Sequence, residues 1–409
     1  MTNKAQREFD VVLYGATSFV GRFVAAHLYQ RQQQDTALHI ALAGRDSSKL
    51  EALKHELGLA GLPIIIADAS DSKALTALTE RTKVVASTVG PYARYGSALV
   101  AACANAGTDY CDLTAEIPWM QRMMDQHGAT SKNTGARIVH SCGFDSIPSD
   151  LGTWVLQQAA LQRFGKPCER VEMRLLKASG GFSGGTVASL SDMVAEAVDD
   201  PQVRAAMIDP YGLARHSAGG PQKDRILPHF DRNLGQWSAP FLMGPINTRT
   251  VQRSHVLAGL PWGHDFVYDE AMSTGRGVLG LAMAAGVTGA LGSLIGLTAL
   301  KPTRPLLQRI LPKPGTGPSL KTIENGFFTM HATGTTRDGQ QLSVAIHGKK
   351  DPGYGATAKM LGESALCLAA DCNNQYVGGG FWTPSTAMGA ALVERLAEHA
   401  DVKIEVVAS

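Results

Sequence analysis

The sequence has no CxxC or HExxH pattern, no Ser-His-Asp spacing and no block of charge of one sign. Each absence removes a class of protein. Six cysteines (Cys103, Cys111, Cys142, Cys168, Cys367 and Cys372) are scattered through 409 residues without metal-ligand spacing. Neither a zinc site nor a disulfide framework is expected from them, and reduced thiols in a cytoplasmic compartment are the plain reading. The 38 Lys and Arg against 36 Asp and Glu leave a net charge of +2, too small a basic excess for nucleic acid to be the main partner. Hydrolase and metalloprotease chemistry have no support, and no metal is expected. The opening MTNKAQREFD is polar, without the apolar run of a secretory signal, so a cytoplasmic location is expected. Charged residues make up 18% of the chain and hydrophobic ones 44%, which supplies a sizeable core and excludes a disordered chain. The length allows about two or three domains.

What is present starts with residues 11–14, a short apolar run that reads as a buried parallel strand. Gly15-Ala16-Thr17-Ser18-Phe19-Val20-Gly21 follows at once, and 22–31 carries Val24, Ala25 and Leu28 at helical spacing. That order suits a pyrophosphate, because a helix N-terminus offers free N–H groups and a partial positive charge. Gly15 permits the tight turn and Gly21 the close packing of helix on strand. The spacing is GxxSxxG rather than the strict GxGxxG, and in isolation an ordinary βα turn reads the same way. The alternation that follows carries more weight. Further strands are expected at 39–43, 63–67 and 84–88, with helices over 49–57 and around Leu75 and Leu78. Together these predict an α/β chain: an N-terminal Rossmann-type doubly wound parallel sheet over 1–150, a second α+β domain over 151–375, and a segment 376–409 that returns to the first.

The glycine loop 15–21 is the predicted pyrophosphate cradle. At the end of the second strand Arg45 precedes Asp46. An acid here binds the ribose 2′-hydroxyl of NAD, whereas a guanidinium suits a 2′-phosphate, so NADP(H) is favoured over NAD(H). A solvated loop cation is the other reading of Arg45. Ser47 is expected to cap the next helix. Asp68 closes the third strand, either at the adenine edge or as the cap of the helix after it. Val89, Gly90 and Pro91 end the fourth strand with small residues that admit the nicotinamide ribose, and Gly143 and Phe144 follow a strand at 137–140 on the same edge.

Seven segments extend the pattern: VVLYGATSFVG (11–21), LAGRD (42–46), TVGPYARYG (88–96), TDYCDLTAE (108–116), HSCGFDSIPSD (140–150), SGGFSGGT (179–186) and GGGFWTPSTAMGAALVERL (378–396). In order and spacing the chain resembles the saccharopine dehydrogenase-like oxidoreductase family, and within it the trans-acting enoyl reductase branch. The resemblance implies an NAD(P)-binding domain joined to a second α+β domain, with the last helix, 386–399, back on the nucleotide domain. It also implies reduction of double bonds in polyketide or lipid chains carried by a partner synthase. A saccharopine-type substrate would call for arginines and carboxylates in the cleft. Residues 179–192 are instead rich in glycine and serine, which fits an apolar small-molecule or carrier-bound acyl substrate better.

In enoyl reduction the nicotinamide supplies hydride, and the protein supplies alignment and a proton. Tyr92 and Tyr95, just past the fourth strand, are the candidate donors; the other reading makes them packing or cofactor-contact residues, the commoner role of tyrosines at strand ends. Asp145 is the carboxylate candidate, or else the cap of the helix beginning near Pro148. Asp112 has the same two readings. Cys111 and Cys142 have no histidine and acid beside them to make a nucleophile. Ser183 and Thr186 would touch substrate or phosphate, or lie in a plain turn.

Residues 277–300 contain no charged side chain and six glycines, bounded by Arg276 and by Lys301, Arg304, Arg309 and Lys313. Such a length reaches across a bilayer core, yet one crossing would part the C-terminal segment from the nucleotide domain. Three readings remain: a buried or subunit-interface helix, consistent with a homodimer; a membrane-surface element or hairpin using the basic flank through 313; or a lid over an acyl substrate. The second domain is expected to contain strands at 171–176, 327–332 and 342–346, the last two antiparallel around Asp338-Gly339, with a helix over 356–368 and a connector at 315–318. Residues 201–265 give no assignment. Two further functions stay open: a nucleotide-binding scaffold at a membrane or lipid surface, peripheral to its inner face, and an amino-acid dehydrogenase of the saccharopine or homospermidine type.

Overall fold

The computed structural model describes residues 4–180, 184–214, 220, 222–305, 307, 316–372 and 377–407. The chain divides into two compact units, one of residues 1–144, 314–317 and 353–401, the other of 145–313, 318–352 and 402–409.

The first unit is built on β1 (Phe9–Tyr14), β2 (Ile40–Gly44), β3 (Ile64–Ile66), β4 (Thr82–Ser87), β5 (Asp109–Asp112), β6 (Arg137–Val139) and β13 (Gly380–Trp382). All pair in parallel, in the order β3-β2-β1-β4-β5-β6-β13. Val11, Val12 and Leu13 are fully buried, as expected where helices cover both faces of a parallel sheet. Strand order reverses between β1 and β4, and the crevice beyond their carboxyl ends is where doubly wound sheets take ligands.

Caps fix where the helices begin. Ser18 caps the helix Phe19–Gln34 by accepting from the Gly21 amide. Asp46, rather than Ser47, caps the helix Ser47–Leu57, and Asp71, rather than Asp68, caps Ser72–Glu80. A carboxylate accepts from the free amides of a first turn and also complements its dipole.

The boundary expected at 375 lies earlier. The helix Thr357–Ala370 packs on β1, β4 and β5 and against the helix Pro384–His399, so both belong to the first unit. Its buried Glu363 draws together His27 (2.8 Å), Arg31 (3.0 Å) and Arg395 (3.2 Å). Those three side chains come from the helices Phe19–Gln34 and Pro384–His399, so one carboxylate ties the C-terminal segment to the first βα unit.

The second unit carries β7 (Arg170–Ser179), β8 (His229–Asp231), β9 (Gln236–Pro240), β10 (Val267–Gly275), β11 (Phe327–Thr335), β12 (Gln341–Lys349) and β14 (Val402–Val407). They form one mixed sheet, β14-β12-β11-β7-β10-β9-β8, in which only β7 and β10 run parallel. The hairpin of β11 and β12 turns through Gly339 at φ +85°. Gly152 lets the helix Ile147–Phe164 approach this sheet, since a Cβ there would come within 2.6 Å of Ile346 Cδ1. The unassigned stretch holds the helices Pro201–Ile208 and Gly244–Leu257 besides β8 and β9.

Gly277–Ala299 is one continuous helix, not a hairpin, and it is not a core element. Only Gly280, Ala284 and Thr298 of it are buried. It touches β9, β10 and the helix Gly184–Asp199, while Val278 and Leu279 are 83% and 84% exposed.

Candidate dinucleotide site

The loop after β1 accepts glycine alone at both of its ends. Gly15 sits at φ +89°, and a Cβ there would lie 2.4 Å from Val89 Cγ2 and 2.9 Å from Thr88 Oγ1. A Cβ on Gly21 would lie 2.3 Å from the Gly15 carbonyl oxygen. Thr88 locks the turn from the end of β4: its hydroxyl donates to Gly15 O at 2.8 Å and accepts from Ser18 Oγ at 2.9 Å. The first amides of a helix have no partner within it. Those of Phe19 and Val20, with that of Thr17, meet no acceptor among the described residues. Ala16 is buried beneath them, and the Phe19 ring packs edge-on against Phe23 and Tyr354. Free N–H groups over a side-chain-free turn fit a pyrophosphate.

At the end of β2 the two charges have separate duties. The Asp46 carboxylate accepts from the Lys49 amide at 3.1 Å, whereas Arg45 is exposed. The acid that would select NAD is therefore occupied as a cap, and the guanidinium is left facing outward. Asp68 accepts from both the amide (2.9 Å) and hydroxyl (2.6 Å) of Ser70, which hold its carboxyl below the usual range. Tyr14 donates to Ala67 O at 3.3 Å. Burial pushes its phenol up to about 12, with Asp68 adding and Arg45 opposing, so Tyr14 lies within the field of both charged groups.

Past β4 come Val89, Gly90 and Pro91, half-buried or exposed, with a cis Gly90–Pro91 bond. Tyr92 is buried and its hydroxyl is engaged twice, donating to Ser87 O (3.0 Å) and accepting from the Leu113 amide (3.1 Å). Burial, with Asp112 adding, pushes that phenol well above 10. Glu116 accepts from the Tyr92 and Ala93 amides at 2.8 and 2.7 Å, which anchors the short helix Tyr92–Tyr95. Tyr95 ends that helix 45% exposed, and its hydroxyl meets no partner among the described residues.

The loop after β6 is organised by Asp112, which accepts from the Ser141 and Thr114 amides and lies 2.8 Å from His140 Nδ1. These bonds offset the left-handed backbone of Ser141, at φ +63°. Cys111 and Cys142 are buried there, and burial raises the Cys111 thiol with Cys142 adding. Gly143 is pressed against Leu113 and Thr357, and the Phe144 amide donates to Thr357 Oγ1 at 3.0 Å.

Asp145 opens the second unit. It does not cap the following helix, whose N-cap is Ser146 without a side-chain bond. As a residue Asp145 is half-buried; its carboxyl has no partner among the described residues, and burial pushes it up to about 6. Ser183 and the Thr186 side chain lie outside the described residues. Three residues that shape the site escaped the sequence reading: Thr88, Glu116 and His140. A hydroxyl directly after the fourth strand was a usable signal for Thr88; the other two contacts are tertiary and leave no local mark.

The first unit is thus a dinucleotide-binding domain, and its cofactor is NADP(H). Residues 11–139 match the family model of the saccharopine dehydrogenase NADP-binding domain. A candidate trans-acting enoyl reductase of Mycobacterium tuberculosis is 42% identical over 407 residues, covering 95% of this chain and 96% of its own. A trans-acting enoyl reductase of Mycobacterium ulcerans is 41% identical over 410 residues, covering 96% and 97%. The yeast saccharopine dehydrogenase (L-Glu forming) shares the fold over 98% of this chain and all of its own, with a TM-score of 0.54 at 14% identity. The chain belongs to the saccharopine dehydrogenase-like oxidoreductase family, in the branch of the trans-acting enoyl reductases.

Proposed function

We propose that this oxidoreductase uses NADPH to reduce the double bond of an apolar enoyl chain held as a thioester on a partner synthase of the polyketide type. The observation that carries this reading is the similarity to named trans-acting enoyl reductases along the whole chain, which includes the second unit as well as the nucleotide domain. When bound, the nicotinamide supplies hydride to the β-carbon. The chain contributes the glycine cradle 15–21 for the pyrophosphate, Arg45 for the 2′-phosphate and Asp68 at the adenosine end. Val89, Gly90, Pro91, Gly143 and Phe144 shape the nicotinamide end.

The enolate left by hydride addition needs a proton at its α-carbon. Tyr95, with an unengaged hydroxyl, is proposed as the donor, and Tyr92 as the strut that positions the Tyr95 turn. Asp145 is proposed to hold a proton for exchange with solvent, because a carboxyl near 6 is both acid and base close to neutral pH. The buried arginines of the second unit do not suit capture of an amino-acid carboxylate. Arg174 is paired with Asp231 and Asp269, and Arg249 with Asp224.

An exposed apolar helix with cations at its ends favours a further contact. The helix Gly277–Ala299 reads as a surface element against an anionic bilayer, placing the enzyme at the inner face of the membrane; a homodimer formed through it is the competing occupant. The catalytic reading is tested by following NADPH consumption with trans-2-enoyl thioesters of increasing chain length. Turnover that rises with chain length and falls about 10²- to 10⁴-fold in Tyr95→Phe, with NADPH affinity unchanged, is expected. Equal rates in Tyr95→Phe would remove that residue as donor, and no turnover on any enoyl thioester would remove the reaction.

A further inference from the structure

Cys367 and Cys372 stand with their sulfurs 3.8 Å apart at the carboxyl end of the helix Thr357–Ala370. Both are buried. The Cys372 amide donates to the Cys367 carbonyl at 3.0 Å, so the chain closes on itself and holds the two thiols together. Arg137 fixes this turn from β6. Its guanidinium donates to the carbonyls of Leu368 (2.8 Å) and Cys372 and pairs with the buried Asp109. No group of three His, Cys, Asp or Glu side chains suited to a metal occurs among the described residues, so the sulfurs face each other rather than an ion. The two thiols are also unlike. The hydrogen bond from Cys367 lowers the Cys372 thiol, with Arg137 assisting, while the same bond and burial raise Cys367. Arg137 on the side of Cys372 favours that sulfur as the attacking thiol and leaves Cys367 as the resolving one.

We propose that Cys367 and Cys372 form a reversible oxidation site that takes a peroxide and closes to a disulfide at the end of this helix. The Cys372 thiolate attacks one oxygen of hydrogen peroxide; the O–O bond breaks, a sulfenic acid forms, and the departing hydroxide takes a proton to become water. The Cys367 sulfur then displaces the sulfenic oxygen as a second water, and the S–S bond forms. Two thiols are oxidised and one peroxide is reduced. The bonded sulfurs must come ~1.8 Å closer than they stand, to about 2.05 Å. That movement tightens the last turn of a helix whose first residue, Thr357, receives the Phe144 amide.

The test treats the purified full chain with hydrogen peroxide, blocks free thiols with iodoacetamide and digests with trypsin. Lys359 and Arg395 bound one peptide that contains both cysteines. After peroxide this peptide is expected to lack two hydrogens and to refuse the alkylating agent, then to take two alkyl groups once dithiothreitol is added. Cys103, Cys111, Cys142 and Cys168 are expected to react at least about tenfold more slowly. In Cys367→Ser the reaction stops at a sulfenic acid on Cys372, captured by dimedone. A peptide that still takes two alkyl groups after peroxide would overturn the proposal. So would oxidation of all six cysteines at one rate, which signals unfolding rather than a paired site.

Discussion

Arg45 and Asp46 stand side by side at the end of β2, yet only the arginine is free to meet a nucleotide. Its replacement, Arg45→Ala, should weaken NADPH binding about 10- to 100-fold, the loss of one charge-assisted contact, and leave NADH binding unchanged. Titration of nicotinamide fluorescence reads both, and an equal loss for the two nucleotides would show that Arg45 does not recognise the 2′-phosphate. Glu270 gives a prediction of another kind. It is buried and accepts from Ser149 (3.0 Å), Asn247 (3.1 Å) and Tyr268 (2.7 Å), while burial pushes its carboxyl up to about 7. The folded chain therefore keeps this proton up to about pH 7, whereas the unfolded chain releases it near pH 4.3. Between those values the folded state binds more protons, so its contribution to stability falls as pH rises, by about 3.5 kcal/mol at most. Glu270→Gln, which cannot ionise, should flatten that fall in urea midpoints compared at about pH 5 and about pH 7.5. An unchanged slope in the variant would place the titration elsewhere.

At the scale of the element, the helix Gly277–Ala299 shows how far composition reaches. Its length and lack of charge were plain in the sequence, but whether protein covered it was not, because its even hydrophobicity marks no inward face. The structure leaves most of it uncovered. Val278→Glu and Leu279→Glu should then change stability by no more than about 0.5 kcal/mol while abolishing co-sedimentation with anionic vesicles. A stability loss several times larger, with the chain still monomeric, would mean that protein already covers these side chains. The helix caps show the opposite limit. Ser47 and Asp68 were plausible caps by residue type, and the structure uses Asp46 and Asp71, one residue before and three residues after. Helix starts are legible to within a few residues, and the side chain that closes the turn depends on geometry that the pattern does not contain.

At the scale of the molecule, the nucleotide domain was legible because its signals are local: an apolar strand, a glycine turn and a helix, repeated in sequence. β13 was not, since it pairs with β6 across more than half of the chain, and no local pattern records such a partner. The same holds for the Thr357–Ala370 helix, expected in the second domain from its place in the chain, whereas its packing on β1, β4 and β5 puts it in the first unit. Arg137, buried between Asp109 and the end of that helix, is where this long-range assembly can be broken. Arg137→Ala leaves the buried Asp109 with Lys4 as its partner and takes the donor from two buried carbonyls, which should cost about 2–3 kcal/mol, seen as a lower urea midpoint for loss of NADPH binding; a loss below about 1 kcal/mol would mean the guanidinium is dispensable. The substrate was the least legible of all, because apolar recognition uses shape rather than a motif. Hydride transfer can be followed directly by supplying NADPH deuterated at the transferable C4 position with a trans-2-enoyl thioester, then locating the label in the product by mass spectrometry. One deuterium at the β-carbon is expected, from one face of the nicotinamide only. NADPH that binds tightly while no enoyl thioester, free or carrier-bound, acquires deuterium would contradict enoyl reduction and leave a nucleotide-binding protein with another task.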